Sequence, residues 1–427
     1  MSLKRIDEIF HFEKGTLQST KCIPGNFDFI TASSDWKTHN EYSHECEALI
    51  FAAAASGSLG RTHYVNGKFI SSDLCFIITP KDPVNFPIDL KFYHILFNKL
   101  KNEIVRNTKA GTSKEAIGLG SFGKYKLPYF DIGKQIETKN RFIDSEEIKE
   151  SLSTELTHQL TLVKKLRQQL LQDAMQGKLV EQNPNDEPAS ELLKKIKAEK
   201  QKLIAEKKLK KEKELPPIKA EEIPFEIPEG WVWCRLGEIC DSRLGKMLDG
   251  IKNKGQFLPY LRNLNVRWYE FDLKDVLKMR FEQNEIEEYS IKRGDLLVCE
   301  GGYPGRAAIW NWEDEGYKFQ KALHRVRFYN NIVAKFYLYF LDFLCSSKKI
   351  EEYLTGSGIQ HLTGISLKKL PIPFPSSDEQ HRIVQKLNEL LQTCDALEAS
   401  IKASAAQNDK LLQQVLREAL RKEVVAV

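Results

Sequence analysis

Two long segments of the chain carry apolar residues at steps of three and four, which is the spacing of one face of a helix. Because each stripe continues for many turns, the pattern predicts two long helices, each with an apolar stripe suited to helix pairing. Asn408 interrupts the second stripe, where it either fixes the register or is an ordinary tolerated polar residue. The apolar positions are Ile148, Leu152, Leu156, Leu160, Val163, Leu166, Leu170 and Ala174 in the first segment, and Ile383, Leu387, Leu390, Cys394, Leu397, Ile401, Ala405, Leu411, Val415 and Ala419 in the second.

Each long helix follows a globular region of mixed pattern. Short β-type runs come first, EALIFAAAA and DLCFIIT in one region and GDLLVCEGG and HRVRFYN in the other. Helical stretches follow, FPIDLKFYHILFNKLKNEI and VAKFYLYFLDFLCSSKKIEEYL. The mixture predicts an α/β or α+β class for both regions.

The two regions are copies of one another. RIDEI (5–9) matches RLGEI (235–239), and LRQQLLQDA (166–174) matches LLQQVLREA (411–419). Between them, Gly60-Arg61 matches Gly305-Arg306, and Leu127-Pro128 matches Leu370-Pro371. Four matches in the same order, at a period far too long for a solenoid, predict two domain-plus-helix units.

The prolines and charges place the boundaries of these units. The predicted order is a first domain over 1–143, a long helix over 144–180, a charged helical linker over 181–220, a second domain over 221–375 and a second long helix over 376–427. Pro371, Pro373 and Pro375 precede the second helix, and Ser376 or Ser377 is its predicted N-cap. The lysine-rich run at 192–215 is either a solvated connector or, in part, a phosphate contact.

The composition says little about function and mainly indicates the cellular compartment. The net charge of +5 permits nucleic-acid binding without requiring it, and no apolar run is long enough for a membrane span. The N-terminal segment lacks the apolar stretch of a signal peptide. Eight cysteines are scattered without a CxxC pair, which favours a reducing cytoplasm over a zinc site or a disulfide framework.

Some fragments of the sequence resemble catalytic motifs, but they lack the surrounding elements that those motifs require. GLGSFG supplies Gly118, Gly120 and Gly123, but it does not join a predicted strand to a helix in a βαβ unit, so a turn before KLPYF is expected instead. The sequence contains no phosphate loop of the GxxxxGK[ST] type and no HExxH pair. The chain is therefore predicted to be non-catalytic and to hold no metal or cofactor.

Three segments of the second copy resemble the specificity (S) subunit of type I restriction-modification systems. They are IPEGWVWCRLGEI (227–239), GSGIQHLTGISLKKLPIPFP (356–375) and DEQHRIVQKLNELL (378–391). The first copy departs most, since it lacks the Gly-Trp opening and the alternating prolines.

The resemblance implies two target recognition domains, each reading one half of a bipartite double-stranded DNA target. It also implies that two antiparallel helices hold the domains apart and set the spacer. Two modification subunits, which methylate adenine with S-adenosylmethionine, would dock on this scaffold. Two restriction subunits that use ATP and magnesium would complete the complex, in the cytoplasm and without a membrane.

Base reading needs donors and acceptors on loops held by a rigid core, and glycine-arginine pairs on loops suit that role. Each candidate is otherwise an ordinary turn or surface residue. Trp231 and Trp233 are expected to be core anchors. The candidate contacts are Arg61, Lys68, Arg262, Asn263, Arg267, Arg306, Gln320, Lys321, Arg325, Ser357, Gln360 and His361.

Other hypotheses remain open from the sequence. The chain could serve a related methyltransferase-nuclease system as its recognition subunit, or act as a coiled-coil interaction scaffold that does not touch DNA. A fused methyltransferase-nuclease would need catalytic motifs that the sequence lacks.

Overall fold

The computed structural model describes residues 2–54, 57–110, 115–251, 253–313, 316–329 and 332–421, except the side chains of 412, 413 and 415–421. The chain forms two compact units, which we call unit 1 (Met1–Glu155 with Ser404–Val427) and unit 2 (Leu156–Ala403). Among the described residues, no helix combines the length and the apolar content needed to cross a membrane.

Unit 1 contains a six-stranded sheet with helices on one side. The sheet has the order β2-β7-β5-β6-β3-β4, and β1 pairs separately with β10. Its strands are β1 (Ser2–Arg5), β2 (Phe10–Lys14), β3 (Phe27–Ile30), β4 (Lys37–His39), β5 (His44–Ala52), β6 (Thr62–Ser71), β7 (Cys75–Pro80), β8 (Lys109–Ala110), β9 (Ala116–Ile117) and β10 (Lys126–Tyr129). Its helices are α1 (Ile6–Ile9), α2 (Leu90–Lys99), α3 (Lys101–Thr108), α4 (Leu119–Lys124) and the start of α5 (Ile132–Met175).

Unit 2 repeats the central part of this sheet. Its four strands have the order β12-β18-β15-β16, a second sheet has the order β14-β13-β17, and β11 pairs with β19. The strands are β11 (Val232–Arg235), β12 (Cys240–Leu244), β13 (Gln256–Leu261), β14 (Leu277–Phe281), β15 (Leu296–Cys299), β16 (Ala307–Ile309), β17 (Lys318–Phe319), β18 (Leu323–Phe328) and β19 (Pro371–Phe374). The helices are α6 (Ala189–Ala205), α7 (Ala334–Ser346), α8 (Gly364–Lys369) and α9 (Ser377–Arg421), with α9 ending in unit 1.

The duplication predicted from the sequence is confirmed at the level of single hydrogen bonds. Both copies share one strand order, β2-β7-β5-β6 in the first and β12-β18-β15-β16 in the second, and in both the domain is closed by an equivalent antiparallel pair, β1-β10 and β11-β19. Equivalent backbone bonds recur in both copies. They include Ile6 N to Tyr125 O and Leu236 N to Leu370 O, Gly15 N to Cys75 O and Gly245 N to Leu323 O, Ala53 N to Leu74 O and Glu300 N to Ala322 O, Gly60 N to Ala52 O and Gly305 N to Cys299 O, and Ile117 N to Ala53 O and Leu362 N to Glu300 O.

A buried glutamine fixes the start of each long helix. Gln135 and Gln380 are both fully buried. Gln135 accepts a hydrogen bond from Asp89 N at 2.8 Å and donates to Phe130 O at 2.7 Å. Gln380 accepts from Val333 N at 2.9 Å and donates to Pro375 O at 3.1 Å. Because Asp89 and Val333 are the N-caps of α2 and α7, each long helix is bonded to the main helix of its own domain.

The first long helix begins at Ile132 rather than at 144. Asp131 caps it by accepting from Lys134 N at 3.0 Å, a signal that lies ahead of the apolar stripe. Ser376 does the same for α9 by accepting from Glu379 N at 3.1 Å, as predicted.

The two long helices run antiparallel. In unit 1 Lys149 lies 3.8 Å from Asp409, and in unit 2 Arg167 lies 2.5 Å from Asp395. The predicted stripes are only partly buried, since Ile148, Leu152, Leu166, Leu397 and Leu411 remain exposed. The side chains of Val415 and Ala419 lie outside the described residues.

The charged linker is not simply a solvated connector. Helix α6 buries Ala189, Leu192 and Ile196 in the main core of unit 2. Beyond α6, the buried Arg235 of the second domain donates to the linker carbonyls Pro216 O at 3.1 Å and Pro217 O at 2.9 Å. Arg235 also makes two hydrogen bonds of 2.8 Å to Glu222, which lower the pKa of Glu222 to about 2. The linker is therefore fixed to the second domain.

The glycine-containing segment at 118–123, expected to be a turn, is largely the short helix α4.

Candidate nucleic-acid interface

Five segments of the second domain meet around the loop between β15 and β16. Glu300 N donates to Ala322 O at 2.9 Å, and Leu362 N donates to Glu300 O at 2.8 Å. Asn263 Nδ2 donates to Gly301 O at 3.2 Å. Through these bonds the segments around 246, 263, 320, 301 and 361 form one continuous group of loops, which we call the loop cluster.

Glycines allow the close packing inside the loop cluster. A Cβ at Gly301 would lie 2.9 Å from His361 Nδ1, and a Cβ at Gly302 would lie 2.6 Å from Asn263 Nδ2. Gly302 also has a φ of +77°, which favours glycine. The sequence therefore uses these glycines to bring Asn263 and His361 against the loop.

Arg306 lies beneath this loop rather than on its surface. Its side chain is buried, and Nη2 donates to Asn263 O at 2.7 Å. Its guanidinium carbon lies 4.3 Å from the centroid of the Tyr303 ring. Arg306 therefore supports Asn263 and Tyr303, because its guanidinium is already used inside the domain.

Arg325 is an interior residue of β18. It is 4% exposed, Nη1 donates to Ser290 O at 2.9 Å, and Nη2 lies 3.2 Å from a carboxylate oxygen of Asp241. Burial lowers the pKa of Arg325, and it lowers that of the neighbouring His324 to about 4. Because the Arg325 guanidinium is buried and already donates to partners within the domain, we expect Arg325 to stabilise the second domain rather than to contact a base.

The other candidates of the second domain lie at or near the surface. Lys321 is exposed, and its backbone N donates to Lys246 O at 2.8 Å. Gln320 is half-buried, with its backbone N bonded to Leu261 O at 3.1 Å. Arg262 donates to the Asp275 carboxylate at 2.7 Å, and Arg267 lies 3.9 Å from the Asp272 carboxylate.

The segment 355–361 forms a small protruding turn. Thr355 and His361 exchange two backbone hydrogen bonds of 2.9 Å, and Ser357 and Gln360 between them are exposed. The turn is joined to the loop cluster by His361, which packs on Gly301. Both polar side chains are thus available to a ligand that approaches the cluster.

The first domain carries the equivalent loop between β5 and β6. Gly60 and Gly305 both have positive φ, and Arg61, like Arg306, donates to a backbone carbonyl, that of Ala32, at 3.1 Å. Lys68 lies apart from this loop, on β6. It is exposed, 3.9 Å from Glu45 and 4.9 Å from the centroid of Tyr42.

Sequence reasoning missed the exposed apolar residues of the loop cluster. Tyr303 is 63% exposed, Leu264 53% and Ile359 74%. Each adjoins a predicted polar candidate, so the signal was a large apolar residue inside a polar, glycine-rich loop. Trp231, predicted as a core anchor, is buried and donates to Glu379 at 2.8 Å.

The fold is shared with type I restriction-modification subunits of known structure. The HsdS subunit from Thermoanaerobacter tengcongensis aligns with a TM-score of 0.55 and 18% identity, covering 98% of this chain and 96% of that one. A chain from a study of complex assembly and conformational transition of the type I R-M system aligns with a TM-score of 0.60 and 18% identity, covering 98% and 97%. The α/β fold class with two domains and long helices is therefore confirmed.

Sequence comparison leads to the same family. The family described as Type I restriction modification DNA specificity domain matches residues 1–161 and 228–407. The specificity subunit of the type I restriction enzyme EcoAI from Escherichia coli is 36% identical over 268 residues. That match covers 60% of this chain and 44% of the EcoAI subunit, so the chain spans less than half the length of this relative. Because the family match includes both copies, the chain belongs to the type I restriction-modification DNA specificity family.

Proposed function

We propose that this chain is the non-catalytic DNA-recognition subunit of a type I restriction-modification enzyme, with each domain reading one half of a bipartite target. The observation that carries the proposal is a repeated scaffold with different loops. Three of the recurring backbone bonds, those made by Ala53, Gly60 and Ile117 in one domain and by Glu300, Gly305 and Leu362 in the other, hold the equivalent loop in both domains, yet the tip residue is Ser58 in one and Tyr303 in the other. Two copies of one frame with different exposed side chains suit the reading of two different sequences.

In this proposal, exposed and half-buried polar residues of the two domains have different roles in recognition. Asn263, Gln320 and Gln360 carry amides that suit base edges. Lys68, Lys321 and Arg267 supply positive charge for phosphates, and Ser357 and His361 supply smaller donors. Arg61 and Arg306 position their loops. Arg262 contacts DNA only if it exchanges Asp275 for a phosphate.

We further propose that the long helices set the spacer and bind two modification subunits. In unit 1, α5 exposes Ile148 and Leu152, and in unit 2 it exposes Leu162 and Leu166. Exposed apolar residues at helical spacing suit a partner helix. Methyl transfer with S-adenosylmethionine, and ATP- and magnesium-dependent cleavage by two restriction subunits, are assigned to those partners, in the cytoplasm.

Selection from a randomised duplex library tests the proposal. We expect the full chain with its modification subunit to enrich one motif with two fixed parts and a spacer of constant length. Binding should weaken steeply with salt, because phosphate contacts release counterions. Enrichment of no motif would favour the scaffold hypothesis, and methylation or ATP hydrolysis by the chain alone would favour an enzyme.

A further inference from the structure

Tyr303 is an exposed aromatic residue of the loop cluster. It stands at the tip of the β15–β16 loop, and 63% of its surface is exposed. Arg306 N donates to Tyr303 O at 3.1 Å, and Gly305 has a φ of +87°. With Pro304 before Gly305, this is the arrangement of a type II turn, in which proline limits the freedom of the loop.

The ring is held from below. The Arg306 guanidinium carbon lies 4.3 Å from its centroid, and Arg306 is itself fixed by its bond to Asn263 O. A cation so placed over a ring stabilises one orientation. One ring face is thus covered by a buried arginine, while the exposed surface remains for a ligand.

Apolar neighbours extend this exposed surface. Leu264 follows Asn263, which bonds the loop, and Ile359 belongs to the turn that ends at His361. Both are more than half exposed. An apolar group among polar loops suits an apolar feature of a base, and in the major groove that feature is the C5-methyl group of thymine.

We propose that Tyr303 determines specificity in the second domain by packing its free ring face against a thymine methyl group of the half-site. This inference rests on the proposed function. The first domain has Ser58 at this position, so the contact belongs to one half of the target.

The test measures binding of the selected duplex by the full chain with its modification subunit. We expect Tyr303→Ala to weaken binding about 5- to 100-fold, the range that follows from the loss of recognition at one base pair of a specific site. Tyr303→Phe keeps the ring and should stay within about twofold. Phe257→Ala is the control, because Phe257 is 56% exposed and stacked with Arg280 at 4.4 Å, but lies on β13 outside the loop cluster.

Replacing single thymines by uracil identifies the contacted methyl group. One such replacement, in the second half-site, should weaken wild-type binding and leave Tyr303→Ala unaffected. Equal effects on both proteins at every thymine would overturn the proposal, as would unchanged binding by a folded Tyr303→Ala protein. A rise in 2-aminopurine fluorescence that requires the ring would also overturn it, because the ring would then contact an unstacked base.

The two proposals fail in different ways. If the wild-type complex prefers no bipartite duplex, the proposed function is wrong. If it does prefer one, and Tyr303→Ala retains the same affinity and preference, only the assignment of Tyr303 is wrong.

Discussion

Replacing residues 1–143 with the first domain and junction of another specificity subunit should exchange one half of the DNA target and leave the other half unchanged. Each domain has its own sheet and hydrophobic core, so we expect the second domain to keep its loop cluster unchanged. Each base pair read in a specific site contributes about 1–3 kcal/mol of discrimination. Exchange of a half-site of several base pairs is therefore a change of several orders of magnitude in preference.

The structure fixes where the exchange must be made. Gln135 bonds Asp89 N, and Lys139 lies 2.5 Å from the Asp89 carboxylate, so the first turns of α5 belong to the first domain. A junction after residue 143 keeps these contacts within the transplanted piece. A control chimera that exchanges only 132–143 should retain both original half-sites. Alteration of both halves by the larger exchange would contradict independent reading.

Arg325→Ala should lower the free energy of unfolding of unit 2 by about 3 kcal/mol or more. The substitution removes a buried side chain and leaves Ser290 O and Glu288 O without their donor, and it also removes the ionic partner of the Asp241 carboxylate, which is about one third exposed. Unsatisfied buried polar groups and a new cavity each cost up to a few kcal/mol, about 1–3 kcal/mol for each such group. Five of the six tryptophans lie in unit 2, so tryptophan fluorescence during urea unfolding reports on this unit.

Substitution of an exposed arginine separates the effect of losing a buried side chain from the effect of losing a positive charge. Arg293 is 65% exposed and lies 2.5 Å from Glu313, so Arg293→Ala should change stability by less than about 1 kcal/mol. Lys321→Ala should leave unfolding unchanged while weakening DNA binding. If Arg325→Ala left the urea midpoint unchanged and altered specificity, Arg325 would be a base contact after all.

The regular elements could be predicted from the sequence because their signals are local. The stretches DLCFIIT and HRVRFYN are largely strands β7 and β18, and the helical stretches contain α2 and α7. The duplication was also readable from the sequence, but one of its four short matches was displaced by two residues: the register of the closing strand pairs makes Leu127-Pro128 equivalent to Ile372-Pro373 rather than to Leu370-Pro371. These features depend on spacing, which a sequence displays directly.

The sequence did not show whether an individual arginine side chain points into the domain or toward the surface. Gly305-Arg306 reads as a loop with an exposed cation, but Asn263, far away in sequence, accepts from it and covers it. For Arg325 the signal was its position between His324 and Val326 in a strand, β18, whose first four residues are all buried. In α6, Ala189, Leu192 and Ile196 have helical spacing, but the many lysines around them indicated a solvent-exposed linker instead of a packed helix.

The most direct test of the account is a map of methylated adenines in cells with and without this chain, in the presence of its modification subunit. The account predicts methylation at one split motif when the chain is present and loss of that motif when it is deleted. Restoring the chain should restore the same motif. A methylation map that does not change on deletion would contradict the conclusion that this chain selects the DNA sequence.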